Sequence, residues 1–152
     1  MVYRIIIFLV LNFAALGIGG FFTGKGVPSI WYVELNKAPW TPPGWMFGVA
    51  WSTIMVCFSV YLSIAYHKLS NRSLLLALFG VQWILNVSWN PTFFYFHYTV
   101  LGLNIIILLT LLIGFFLFFY FPKVKYYSIL VLPYFVWLCI ATSLNAYVVL
   151  KN

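Results

Sequence analysis

Long apolar runs separated by short polar breaks set the rhythm of this chain. A helix rising about 1.5 Å per residue needs about 20 apolar residues to cross a hydrocarbon core of ~30 Å. Five runs reach that length, at about residues 5–22, 42–66, 73–94, 99–121 and 125–150. A helix satisfies its own backbone hydrogen bonds, which lipid cannot do for it. The pattern therefore predicts an all-α integral membrane bundle of five transmembrane helices, forming one domain over residues 1–152. Ala14-Ala15-Leu16 could mimic a signal-peptidase site, but the apolar run around it is long for a signal sequence, so it is read as a retained helix. Ala15 and Gly19 form a small-xxx-small pair suited to close helix approach. Ser73, Ala77 and Gly80 in the third run are further candidates for helix contacts, within or between chains.

The breaks carry information of their own. Residues 23–41 form the longest connector, yet Ile30, Trp31, Tyr32, Leu35 and Trp40 make it too apolar for a solvated loop, so it is expected to fold back over the bundle. Thr41 is placed to cap the second helix, with Pro42 and Pro43 in its first turn. Residues 67–71 read as a short turn. Asn90-Pro91 marks a kink or break late in the third helix. The fourth run is apolar all round, as suits a helix with much lipid contact. Pro133, inside the fifth run, should free the carbonyl of Ile129 and bend the helix. No internal repeat stands out, so an inverted-repeat transporter is not supported.

Composition agrees with the pattern. Charged residues make up 6% of the chain, against about 25% in soluble domains, and 65% is hydrophobic. The net charge of +7 comes from 8 Lys and Arg scattered singly in connectors, with Glu34 the only acid, so nucleic acid is not an expected partner. Five spans put the termini on opposite sides. Arg4, Lys68, Arg72, Lys123 and Lys125 gather on the N-terminal side, while Lys25, Lys37 and Lys151 share the other with Glu34. By the positive-inside rule the N-terminus is cytoplasmic and the C-terminus extracytoplasmic, in a multi-pass protein of the cell (plasma) membrane. Cys57 and Cys139 fall in apolar runs and read as small buried hydrophobes, with no sign of a disulfide.

Much chemistry is missing. No run holds an ionised residue in its interior, which counts against a proton-coupled transporter. There is no carboxylate pair, no metal-ligand cluster and no material for a Ser-His-Asp set, so no conventional acid-base or metal catalytic site is expected. His67 and His97 fall in turns and read as interfacial residues. What the helices do contain is amides beside indoles. Asn86, Trp89, Asn90 and Phe93 share one face of the third helix, at i, i+3, i+4 and i+7. Tyr134, Trp137, Ala141 and Asn145 form a comparable face on the fifth, and Trp51, Met55 and Phe58 one on the second. An amide turned to hydrocarbon would cost several kcal/mol, so these faces should point inward. Interhelical hydrogen bonding alone would explain any one of them. An aromatic content of 22%, beyond what an interfacial belt requires, favours a pocket for a flat, hydrophobic, aromatic ligand.

Several stretches carry a resemblance. Residues 31–43 read Trp-Tyr-Val-Glu-Leu-Asn-Lys-Ala-Pro-Trp-Thr-Pro-Pro, followed by Trp45 and Trp51-Ser52-Thr53; Leu85-Asn86-Val87-Ser88-Trp89-Asn90-Pro91 is followed by Phe93-Phe94; Leu132-Pro133-Tyr134-Phe135-Val136-Trp137 by Ala141-Thr142-Ser143-Leu144-Asn145. In order and spacing these resemble the motifs of the translocator protein or tryptophan-rich sensory protein (TspO) family, also called the peripheral-type benzodiazepine receptor family, in a bacterial member. Ala38 departs from the Pro or Ser common at that turn. Leu144, Tyr147 and Lys151 match a proposed cholesterol motif, a weak pattern that does not imply sterol.

The resemblance implies a five-helix bundle, usually a homodimer in membrane lipid, that binds porphyrins (protoporphyrin, haem-related tetrapyrroles) and benzodiazepine-site ligands in a pocket closed by the first connector. The implied lining is Trp31, Tyr32, Pro42, Trp51, Asn86, Trp89, Asn90, Trp137, Ala141 and Leu144. No cofactor is required; porphyrin or haem would be the ligand. A receptor or stress sensor is the first expectation. The alternative is a light-dependent porphyrin-degrading enzyme in which Trp31 and Trp137 act as redox partners, and after it a transporter of porphyrin or lipid.

Overall fold

The computed structural model describes residues 1–152 and is helical almost throughout. Its elements are α1 (Val2–Gly26), α2 (Ile30–Glu34), α3 (Gly44–Lys68), α4 (Arg72–Phe94), α5 (Thr99–Phe119), α6 (Phe121–Val124), a 3-10 segment (Lys125–Leu130) and α7 (Leu132–Lys151). Of these, α1, α3, α4, α5 and α7 are long and apolar enough to cross a membrane. The chain is thus an all-α, multi-span membrane protein. Leu108, Leu111 and Phe118 of α5 lie on its exposed side, as do Val10 of α1 and Ile84 of α4.

Several boundaries differ from the sequence reading, each for a local reason. Helix α1 runs on through Gly24 and Gly26, and the Val27 N–H still donates to the Thr23 carbonyl at 3.0 Å. Thr41 does not cap α3. Its hydroxyl donates to the Ala38 carbonyl at 2.6 Å, and Pro43, extended at φ −62° and ψ 149°, is the N-cap residue. A residue that precedes proline is pushed out of the helical region, so Thr41 before Pro42, and Pro42 before Pro43, hold the chain extended up to Gly44. His67 belongs to the last turn of α3, and Pro91 lies inside α4, which continues to Phe94. Pro133 does not bend a long last helix, as expected; it stands in the first turn of α7, where its missing N–H costs nothing. The stretch before it is α6 and the 3-10 segment, divided at Lys125, whose φ of 55° no α-helix accommodates. Neither cysteine is buried: Cys57 is half-buried and Cys139 exposed, both free thiols.

The spans form a ring in the order α3, α1, α4, α5, α7, with α7 returning to α3. Small residues allow the α1–α4 approach: Ala15 and Gly19 are both buried, and the Asn90 side chain lies against Gly19. Most packed pairs carry a polar tie. Asn12 donates to Ser59 at 2.8 Å (α1–α3) and Thr23 to Asn90 at 2.8 Å (α1–α4). The Thr110 and Thr142 hydroxyls meet at 3.0 Å (α5–α7), and across the ring Gln82 of α4 donates to the Tyr134 hydroxyl of α7 at 2.8 Å. Rings fill the centre of the N-terminal half of the bundle. There Phe58 meets Phe116 and Tyr134 edge-on, at 5.6 and 5.3 Å between centroids, and Tyr61 donates to the Phe116 carbonyl at 3.0 Å. The opposite half, toward the first connector, is looser.

A candidate ligand site under the first connector

The connector between α1 and α3 is structured. Ser29 starts α2 by accepting from the Tyr32 N–H at 3.2 Å. Lys37 ends it by donating to the carbonyls of Tyr32, Val33 and Leu35 at 2.9, 3.2 and 3.3 Å, with its ammonium 4.9 Å from the Tyr32 ring centre. Three anchors hold the connector down. The Asn36 N–H donates to the Asn152 side-chain oxygen at 2.8 Å, and the Asn152 amide donates back to the Asn36 carbonyl at 3.2 Å. The Trp40 indole donates to Ser143 at 3.1 Å and meets Tyr147 edge-on at 5.4 Å. Trp31 stacks on His97 at 4.0 Å and meets Phe93 edge-on at 5.5 Å. His97 reaches that position from a positive φ of 58°, in the turn between α4 and α5. Its role here is a stacking partner.

Beneath lies a cavity of about 60 Å³. The connector contributes Tyr32, Lys37, Ala38 and Thr41 to it, and α3 contributes Phe47. Trp89, Phe93 and Phe94 come from α4, and Ala141, Leu144, Asn145 and Val148 from α7. The wall is mostly apolar and carries five rings, with Trp89 and Phe93 stacked at 5.8 Å. Its fixed polar groups are few. The Trp89 indole donates to the Asn145 side-chain oxygen at 3.3 Å, while the Asn145 amide donates to the Ala141 carbonyl at 2.9 Å. Lys37 is the one cation. Burial pushes the pKa of the Tyr32 phenol up from its ordinary value.

Of the lining that the resemblance implied, Tyr32, Trp89, Ala141 and Leu144 border this cavity, and so do Phe93 and Asn145 of the two inward faces. Trp31 and Trp137 stand one ring behind it: Trp31 on Phe93, and Trp137 edge-on to Phe47 at 5.3 Å. The buried Trp137 indole N–H has no acceptor. Asn86 is also buried, its backbone carbonyl accepting from the Asn90 amide, and the Asn90 side-chain oxygen accepts from Thr23. Trp51 packs deeper, edge-on to Tyr134 at 5.8 Å, and Pro42 is half-buried beside Thr41. The sequence reading did not name Lys37, Ala38, Thr41, Phe47, Phe94 or Val148 as lining. Two of these had a signal. Phe47 lies one turn before Trp51, and Val148 continues the Ala141–Asn145 face by another turn. For Lys37, Ala38 and Thr41 no periodicity exists, because the connector is not a long helix.

Fold and site together define a small polytopic helical membrane protein with an aromatic cavity roofed by a structured connector. The chain belongs to the TspO/MBR family, whose family model matches residues 6–150. It is 33% identical over 153 residues to a tryptophan-rich protein TspO of Archaeoglobus fulgidus, covering 100% of this chain and 96% of that protein. It is 34% identical over 122 residues to the protein CrtK of Rhodobacter capsulatus, covering 78% of this chain and 76% of the relative. A translocator protein of Bos taurus is 31% identical over 84 residues, or 51% of this chain and 50% of that one.

Proposed function

We propose that this chain is a membrane receptor or sensor for porphyrins (protoporphyrin and haem-related tetrapyrroles) and for benzodiazepine-site ligands, taken up in the cavity under the connector. The observation that carries the proposal is an apolar cavity with five rings in its wall, since rings stack on rings, and the Lys37 charge at its roof, whose N–H groups are held by backbone carbonyls and which no carboxylate neutralises, favours an anionic edge on the ligand. Relatives named tryptophan-rich sensory protein (Cereibacter sphaeroides) and translocator protein are consistent with a sensing role.

Size adds a requirement. Pockets for drug-sized molecules measure about 300–1,000 Å³, so a cavity of about 60 Å³ admits a tetrapyrrole only after the connector lifts. The Asn36–Asn152 anchor is exposed, and that to Ser143 runs through an exposed Trp40. Such surface hydrogen bonds open at low cost, and binding energy from ring stacking would hold the opened form. Titration of protoporphyrin with tryptophan fluorescence as readout tests this. Ala141→Phe, which fills the cavity, is expected to weaken binding at least roughly tenfold, the loss of ~1.4 kcal/mol; unchanged affinity would place the ligand elsewhere.

A second reading, light-dependent porphyrin degradation, is favoured by the positions of Trp31 and Trp137, each one ring from the cavity. An excited porphyrin would supply the reactivity and the protein an oriented, oxidisable indole. Trp31→Phe with Trp137→Phe should then abolish product formation under illumination and spare binding. Transport of porphyrin or lipid ranks below both, because no span holds an ionised side chain in its interior to couple flux. In this proposal the protein is a homodimer in the plasma membrane with its N-terminus in the cytoplasm. The exposed Ser73 and Ala77, beside the half-buried Gly80, would form the face toward the second copy.

A further inference from the structure

At the far end of α1 from the connector lies a second concavity, of about 270 Å³, between α1, the end of α3 and α4. Its walls are Ile7, Phe8 and Leu11 on one side and Leu76 and Phe79 on the other, with Phe8 and Phe79 edge-on at 5.2 Å. Arg4 and Tyr66 line its mouth, and Arg72 stands beside Tyr66, one turn before the wall residue Leu76. The Arg4 and Arg72 guanidiniums stand 4.8 and 5.1 Å from the centre of the Tyr66 ring. Glu34, the only acid of the chain, sits in the connector at the opposite end of α1, so neither arginine has a carboxylate to pair with. At the other end of the groove, the Trp83 indole donates to the Leu11 carbonyl at 2.8 Å and ties α4 to α1.

We infer that this groove binds one anionic phospholipid, with the phosphate held by Arg4 and Arg72 and an acyl chain lying between α1 and α4. Charge complementarity selects the occupant. Two uncompensated guanidiniums held over one ring present their donors at the end of an apolar trough, and a phosphate tethered to an acyl chain matches both halves at once. A neutral lipid would fill the trough and leave the arginines unmatched; a free anion would meet the arginines and leave the trough bare. From Tyr3 to Leu11 the wall extends over two turns of helix, about 12 Å, enough for the upper part of an acyl chain. The site is independent of the cavity under the connector and stands whatever that cavity binds.

The test is native mass spectrometry of the full chain, equilibrated with equal amounts of phosphatidylglycerol and phosphatidylcholine. The wild type should retain one phosphatidylglycerol per protomer in clear preference. Arg4→Gln with Arg72→Gln should lower that preference by roughly fivefold per arginine, about 25-fold for the pair. Lys123→Gln with Lys125→Gln removes as much charge at the same end of the molecule and should leave the preference intact. Leu76→Trp, which fills the trough while keeping both arginines, should release the lipid, so the outcome does not hang on one variant. The inference is overturned by equal retention of the two lipids in the wild type, by an equal loss in the lysine pair, or by full retention in Leu76→Trp.

Discussion

Gly24 and Gly26 stand two positions apart near the end of α1 and meet opposite surroundings. A methyl group at Gly24 would touch nothing within 4 Å, whereas one at Gly26 would overlap the Cβ and ring of Phe94, a residue of the cavity wall. Gly24→Ala should therefore leave stability unchanged or raise it by up to ~1 kcal/mol through helix propensity. Gly26→Ala should lower it by about 1–3 kcal/mol, as overpacking does. Thermal unfolding in detergent micelles checks both, and the reverse order would show that α1 does not end against Phe94. Tyr134 offers a polar counterpart. Its hydroxyl accepts from Gln82, whose side-chain oxygen already lacks a partner, so Tyr134→Phe orphans the whole buried amide and should destabilise by about 1–3 kcal/mol. A loss no larger than that of the exposed Tyr98→Phe would mean that the amide finds another partner.

Among the elements, the connector departs furthest from its neighbours. The spans are held by buried packing, while α2 and its flanks are held by a few hydrogen bonds and ring contacts at the surface. Asn36→Ala with Asn152→Ala should thus speed amide hydrogen exchange over residues 30–41 severalfold while leaving the melting temperature of the bundle unchanged. Exchange as slow as in the wild type would show that Trp31 on His97 and Trp40 on Tyr147 suffice to hold it. If ligand entry needs the connector to lift, the same variant should also bind protoporphyrin faster. The elements themselves were legible to different degrees. Spans α3, α4 and α5 emerged from hydropathy near their observed limits. The start of α7 did not, because the apolar run is continuous across α6 and the 3-10 segment, and hydropathy does not register the positive φ at Lys125 that divides it.

For the whole molecule, the distribution of charge is the main lever. Arg4, Lys68, Arg72, Lys123 and Lys125 occupy one end of the bundle, and Glu34, Lys25, Lys37 and Lys151 the other. The proposed orientation predicts that alkaline phosphatase fused after Asn152 is active and that green fluorescent protein fused there is dark, since only the former works outside the cytoplasm. The opposite pattern would invert the protein, placing the connector and its cavity on the cytoplasmic side. The two ends also differ in packing, with a ring-filled core and the α1–α4 concavity toward Arg4, and a smaller cavity toward the connector.

The all-α class, the five spans and the inward turn of the amide-bearing faces were determined by the sequence alone. Lipid leaves backbone and amide groups no partner outside the protein, so burial there follows from periodicity. Which of those inward residues border open space was decided only by the tertiary structure. Asn86, Asn90, Trp89 and Phe93 share one helical face, yet Trp89 and Phe93 reach the cavity while Asn90 is taken by Thr23 and Gly19 of α1. A helical face specifies a direction, but the neighbour met in that direction depends on the order of helices around the ring and on the height at which each packs. Periodicity along one segment contains neither quantity.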